Sequence, residues 1–127
     1  MALRNTGGAQ APHDKMLGKK LWVVMTKAVA SREQLDQHLE AHLQHQIRLE
    51  KAGIMFGAGP LSNADGTPTA TGMILIRAEN EAEARRIADE DPFHSHGLRS
   101  YSLQLWTMNE GRLTVTLDYS DQTFKLT

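Results

Sequence analysis

The 127-residue chain predicts an α+β domain of order β-α-β-β-α-β, an antiparallel four-stranded sheet with both helices on one face, extended by a C-terminal β-hairpin. Two observations carry most of this expectation: two segments with helix caps each lie between runs of strand formers, and the second and third of those runs are joined only by turn residues. A third is the alternation of apolar and polar residues after the last of the four runs, which is the pattern of a hairpin.

The first strand is "KLWVVMTKA", at about residues 20 to 27, after a Gly-rich leader that is expected to be flexible over residues 1 to 17. Its two alternating sets, Leu21/Val23/Met25 and Trp22/Val24, are both apolar. Ser31 then caps a long helix, with Gln34 three positions on completing a capping box, and the helix ends near Gly53. "GIMFGAGPL" is the second strand, closed by Gly59 and Pro60, and "SNADGTPTAT" is a turn-rich link to the third, "GMILIRA". Asn80 and Glu83 repeat the cap pattern for a second, shorter helix, which Pro92 stops because the residue before a proline avoids helical angles. "LRSYSLQLWTM" is the fourth strand, and "LTVTLDY" and "TFKLT" flank a "SDQ" turn. The expected organisation is a leader over 1–17, a domain over 18–108 and a hairpin extension over 109–127. Helices cover only one face of a sheet, so the apolar residues on both faces of the first and third strands call for a second subunit packed sheet to sheet.

Composition narrows the chemistry. Fourteen basic against fifteen acidic side chains give a net charge of -1, with no basic stretch to follow a phosphate backbone, so nucleic acid is not an expected partner. There is no cysteine, which removes thiolate nucleophiles and Cys-based metal sites and leaves His, Asp and Glu to act. No run approaches the roughly 20 apolar residues of a membrane span, and the leader lacks the apolar core of a signal peptide. A soluble, cytoplasmic protein without a membrane partner is expected.

"HLEAHLQH" sets His38, His42 and His45 at i, i+4 and i+7 on the long helix. On a wheel of about 100° per residue with His38 at zero, Leu49, Leu35, Leu39 and Leu43 fall at about 20°, 60°, 100° and 140°, and these leucines mark the expected buried stripe. His42, at about 40°, lies inside that stripe, His38 at its edge, and His45, at about 340°, one step further toward solvent. His42 is thus either a satisfied core histidine or a catalytic one. A metal site built from His38, His42 or His45 with His94 or His96 is a third reading, although "HLEAH" lacks the Glu that follows the first His in HExxH. His94 and His96 in "DPFHSHG" form an H-x-H pair or a solvated loop, and Arg48 and Arg99 are anion contacts or plain surface charges. Asp91 is a turn residue before Pro92 or, if turned inward, a carboxylate that needs a partner; the pair to examine is His42 with Asp91.

"HLQHQIRLEKAGIMFGAGPL", "GMILI" and "EARRIADEDPFHSHGL" together resemble the YciI-like, or YCII-related, family of dimeric α+β barrel proteins over about residues 20 to 108. The family's helix histidine, Gly-Pro turn and Asp-Pro step recur in order, whereas the leader, residues 109 to 127 and the extra histidines depart from its minimal pattern. The resemblance implies a ferredoxin-like fold, a homodimer formed through the sheets, with a higher oligomer open, and a pocket in each subunit holding a paired His and Asp, here His42 and Asp91. His38, Gly59, Pro60, His94, His96 and Arg99 are the residues expected around a bound small molecule. Characterised relatives include enzymes that eliminate chloride from chlorinated rings in aromatic catabolism.

The leading expectation is therefore a cofactor-independent lyase or isomerase that moves a proton on a small oxygenated cyclic metabolite. The alternatives are a ligand-binding or accessory module without turnover and, third, a His-rich metal-binding protein.

Overall fold

The computed structural model describes residues 16–126. The leader expected over residues 1 to 17 lies outside the described residues except for Met16 and Leu17. Two compact units are present, residues 20–107 and a smaller one of residues 16–19 with 108–126.

In chain order the elements are β1 (Lys19–Ala28), α1 (Arg32–Lys51), β2 (Met55–Ser62), β3 (Pro68–Ile76), α2 (Glu81–Asp89), α3 (Pro92–Ser95), β4 (Arg99–Met108), β5 (Val115–Asp118) and β6 (Thr123–Leu126). The first four strands form a sheet in the order β2-β3-β1-β4. β3 runs antiparallel to both neighbours, pairing Val24 with Ile74 and Gly59 with Met73. This is the ferredoxin-like arrangement expected from the sequence.

The caps form as anticipated. The Ser31 side chain accepts from the Gln34 backbone N–H while the Gln34 side chain accepts from the Ser31 N–H, so α1 starts with two of its free donors satisfied. Asn80 accepts from the Glu83 N–H at the start of α2.

Three elements differ from expectation. β2 is not closed by Gly59 and Pro60 but runs through both to Ser62, with Pro60 opposite Gly72 of β3. β3 begins at Pro68 rather than Gly72, because the β-branched Thr69 and Thr71 continue the pairing with β2 into what reads as a loop. Proline is tolerated there as the first residue of a strand. Pro92 also does more than stop α2: it is the first residue of the extra helical turn α3, which Asp91 caps by accepting from the Phe93 N–H at 2.9 Å.

The core lies on the helix-covered face of the sheet. Val24, Ile74 and Ile76 of the strands meet Leu49 of α1 and Ala84, Ile87 and Ala88 of α2, with Trp22, Tyr101 and Leu103 packed around them. On the opposite face Leu21 is fully buried and Leu75 nearly so, each contributing roughly 1.5–3 kcal/mol by leaving water, whereas Met73 remains 37% exposed.

The smaller unit carries the hairpin β5–β6. Its register sets Val115 opposite Leu126 and Leu117 opposite Phe124, so these four share one face, while Thr116, Lys125, Asp118 and Thr123 share the other. Gln122 closes the turn with a left-handed φ of 58°, and the Asp121 side chain accepts from both the backbone N–H and the hydroxyl of Thr123. No helix among the described residues is long and apolar enough to cross a membrane.

Candidate active site

α3 packs against α1, and this contact assembles the site. Asp91, at the N-cap of α3, is buried, and both of its carboxylate oxygens lie 2.9 Å from His42 Nδ1. A carboxylate only accepts, so Nδ1 carries the hydrogen and the lone pair of the neutral ring is on Nε2, which has no protein partner among the described residues. The ring is stacked on Phe93, centroid to centroid 4.2 Å at 17°, so carboxylate and phenyl together fix its plane. Burial pushes the Asp91 carboxyl up, but the hydrogen bonds from His42 and from the Phe93 N–H, with the charge of His42, outweigh it and hold Asp91 below the usual carboxylate range.

His42 and Asp91 line a cavity of about 490 Å³ between α1 and the β2–β3 hairpin. Leu43 and Ile47 of α1, Met55, and Phe93 give it apolar walls, and Gly59 and Pro60 form part of the opposite side. Arg99 and Thr26 line it from β4 and β1. The volume suits a small molecule.

The expected buried stripe of α1 holds at Leu49 and is corrected at Leu39 and Leu43. Leu39, Leu43 and Ile47 are 40%, 48% and 45% exposed, while His45, expected toward solvent, is buried at 6% beside the buried Leu49. The helix is turned so that the side carrying His38, His42, His45 and Leu49 meets the sheet and α3, and Leu43 and Ile47 border the open cavity. The wheel misassigned the buried face because it treated every leucine as core, whereas Leu43 lines a cavity. Burial holds the His45 ring below its ordinary pKa, with nearby Asp91 opposing that shift and Arg48 adding to it.

The other histidines fall elsewhere. His94 is locked into a chain: its Nδ1 lies 2.7 Å from the Ala88 carbonyl and so donates, which leaves Nε2 to accept from the Thr26 hydroxyl at 2.9 Å. Thr26 Oγ1 in turn accepts from Arg99 Nε at 2.9 Å. His38 and His96 meet ring to ring at 4.3 Å, with His96 Nδ1 on the Pro92 carbonyl and His38 Nδ1 buried without a partner. Of the residues expected around a ligand, Gly59, Pro60 and Arg99 line the cavity; His38, His94 and His96 do not, nor does the exposed Arg48. Among the described residues no group of three or more His, Asp or Glu side chains is placed to hold a metal ion.

Sequence reasoning missed Phe93 and Thr26. Phe93 follows the Asp-Pro step directly, and Thr26 continues the inward-facing set Trp22/Val24 as a polar residue on a core position, so both signals were present.

Residues 20–107 match the YCII-related domain family. Among curated proteins none matches the sequence. A similar solved structure is the 5-chloro-2-hydroxyhydroquinone dehydrochlorinase TftG from Burkholderia phenoliruptrix AC1100, in complex with 2,5-dihydroxybenzoquinone. It superposes with a TM-score of 0.52 at 20% identity, covering 68% of this chain and 93% of that one, a likeness that speaks to the fold. With the family match extending over more than half of its length, the chain belongs to the YCII-related family.

Proposed function

We propose that this protein is a cytoplasmic, cofactor-independent lyase or isomerase that moves a proton on a small oxygenated ring, with His42 as the acid/base and Asp91 as its partner. The observation that carries the reading is the buried His42–Asp91 hydrogen bond at 2.9 Å, which leaves Nε2 unengaged on a residue that lines the cavity. Asp91 keeps the hydrogen on Nδ1 and stabilises the imidazolium that forms when Nε2 takes a proton. An imidazole titrates near neutral pH, and one positioned acid/base group typically contributes about 10² to 10⁴ in rate.

Dehydrochlorination, the activity in the name of the TftG enzyme, is one reaction such a pair suits. In a keto tautomer of a chlorinated hydroxyhydroquinone the carbon that bears chlorine is tetrahedral. Transfer of a hydroxyl proton to Nε2, with the electron pair moving through the ring to expel chloride, leaves a quinone, one chloride and one proton on His42. The apolar walls of the cavity suit the ring.

The protein is read as a homodimer joined through the sheet faces. Supporting this, Met73, on the sheet face opposite the helices, is 37% exposed.

The test is chloride release and quinone absorbance on incubating the full chain with 5-chloro-2-hydroxyhydroquinone and a panel of hydroxylated rings. Turnover that is lost in His42→Ala supports the reading. Saturable binding of such rings with no conversion of any of them would favour a ligand-binding module instead.

A further inference from the structure

Two cations line the cavity, and they are held very differently. Arg32 is paired with Asp36 at 3.1 Å and its side chain is 87% exposed, so its charge is answered by a carboxylate and by water. Arg99 is half-buried, and none of its contacts is a carboxylate: Nε donates to Thr26 Oγ1 at 2.9 Å, and Nη2 donates to the carbonyls of Ala70 at 3.0 Å and Thr26 at 3.3 Å. Three neutral oxygens fix the plane of the guanidinium and leave its charge unpaired.

The third nitrogen, Nη1, has no protein acceptor among the described residues. Nor is it sealed in, because His38 Nδ1 is the one buried side-chain polar atom there without a partner. Its two hydrogens are therefore on offer from a residue of the cavity wall.

The backbone around Arg99 is built to hold it. Ala70 has φ of 59°, a left-handed conformation that costs a Cβ-bearing residue on the order of 1 kcal/mol, and its carbonyl is one of those that grip the guanidinium. Gly72 makes room for Thr26, since a Cβ there would sit 3.3 Å from Thr26 Cγ2 and 3.4 Å from the Gly59 carbonyl. His94 Nε2 takes the Thr26 hydroxyl hydrogen and so turns the Thr26 lone pairs toward Arg99. Asp91 acts on Arg99 through space, opposing the burial that lowers its pKa, and already spends both of its oxygens on His42. The other acid on the cavity wall, Glu50, is exposed.

We infer that Arg99 forms an anion-binding subsite of the cavity, selecting ligands that carry a negatively charged oxygen (a carboxylate, phenolate or enolate) on a small apolar ring over their neutral isosteres. The inference rests on the reading of the cavity as a ligand site and deepens it: the oxygen that gains charge when His42 removes a proton sits at Arg99. A charge-assisted bond to a planar donor already fixed in place is the strong kind of hydrogen bond, so charge is expected to dominate ligand choice.

Benzoate and benzamide, nearly equal in shape and different in charge, are the probes. Titrated into the full-length protein, benzoate should bind about 10-fold or more tightly than benzamide, and the Arg99 Nε–H resonance should shift with benzoate. In Arg99→Gln benzoate should fall to the benzamide level, with Arg99→Lys intermediate because the charge remains and the fork is lost. Equal affinities in the unmodified protein, no saturable benzoate binding at millimolar concentration, an unmoved Arg99 resonance, or a charge preference that survives in Arg99→Gln would each overturn the subsite. The unmodified protein alone decides the matter if a variant fails to fold. The two readings fail separately: benzoate preference in the unmodified protein without turnover of any ring counts against proton transfer only, and turnover without that preference counts against the subsite only.

Discussion

His42 and His94 carry their ring hydrogen on the same nitrogen, Nδ1, and differ in what meets the other. His42 donates to a buried carboxylate and leaves Nε2 unengaged, while His94 donates to the Ala88 carbonyl and gives Nε2 to the Thr26 hydroxyl. One ring is satisfied at a single end and lines a cavity; the other is satisfied at both and ties α3 to α2 and β1. On the proposed reading, what suits a histidine in this fold to proton transfer is an acceptor left without a donor, together with a negative group behind it. Burial alone does not do it, since His45 is the more buried ring and has no carboxylate bonded to it.

The largest expected effect breaks that comparison directly. With a turnover substrate in hand, His42→Ala should lower kcat/KM by about 10²- to 10⁴-fold, and adding Asp91→Asn should cost far less than the product of the two single losses, because the groups act as one unit. His94→Ala should instead leave the rate within about 10-fold of the starting protein; a loss matching that of His42→Ala would erase the distinction.

The comparison also depends on α1 turning its histidine side inward. Leu49→Ala, in the core, should destabilise by about 2–5 kcal/mol in denaturant unfolding. His94→Ala should cost about 1–3 kcal/mol in the same measurement, since it leaves the hydroxyl hydrogen of the buried Thr26 without its acceptor and takes from the Ala88 carbonyl one of its two donors.

A smaller effect is expected from pH. Burial lowers the His45 pKa below its ordinary 6.5, so in the folded state the ring resists a proton that the unfolded chain accepts. Its contribution is therefore full above about pH 6.5 and declines as pH falls from there toward the lower folded-state value. Replacing His45 with Leu should flatten unfolding free energy against pH in that window, and an unchanged slope would show that His45 does not carry it. Smallest of all, Leu39→Ala, at an exposed position, should change stability by no more than about 0.5 kcal/mol; a loss as large as that of Leu49→Ala would put Leu39 back on the buried face.

Much of this was legible from residues alone. Ser31/Gln34 and Asn80/Glu83 mark helix starts because capping chemistry is local, and the pairing of β2 with β3 follows from the turn residues between them. The meeting of His42 with Asp91 was expected from the resemblance and from the need of a buried carboxylate for a partner. The orientation of α1 was not legible, because a leucine on a cavity wall and a leucine in a core look alike in sequence, and only the placement of β2 and β3 tells Leu43 from Leu49. The roles of Thr26 and Ala70 were hidden for a related reason: they depend on which strands adjoin β1, and Ala70 acts through its carbonyl, which every residue type possesses.

Asp91 starts α3 with one oxygen and, with both, holds the ring of His42. For the evolution of new activities the consequence is a constraint on route. A lineage cannot drift through Asp91 to explore altered chemistry without first disturbing the turn that carries Phe93 against the same ring. Variation that retunes what the cavity accepts has its open path across the β2–β3 wall, at Ala58, Leu61 and Thr71, which line the cavity and bear on neither the cap nor the pair. A library for redirecting what this cavity accepts should therefore hold Asp91 constant and diversify that wall.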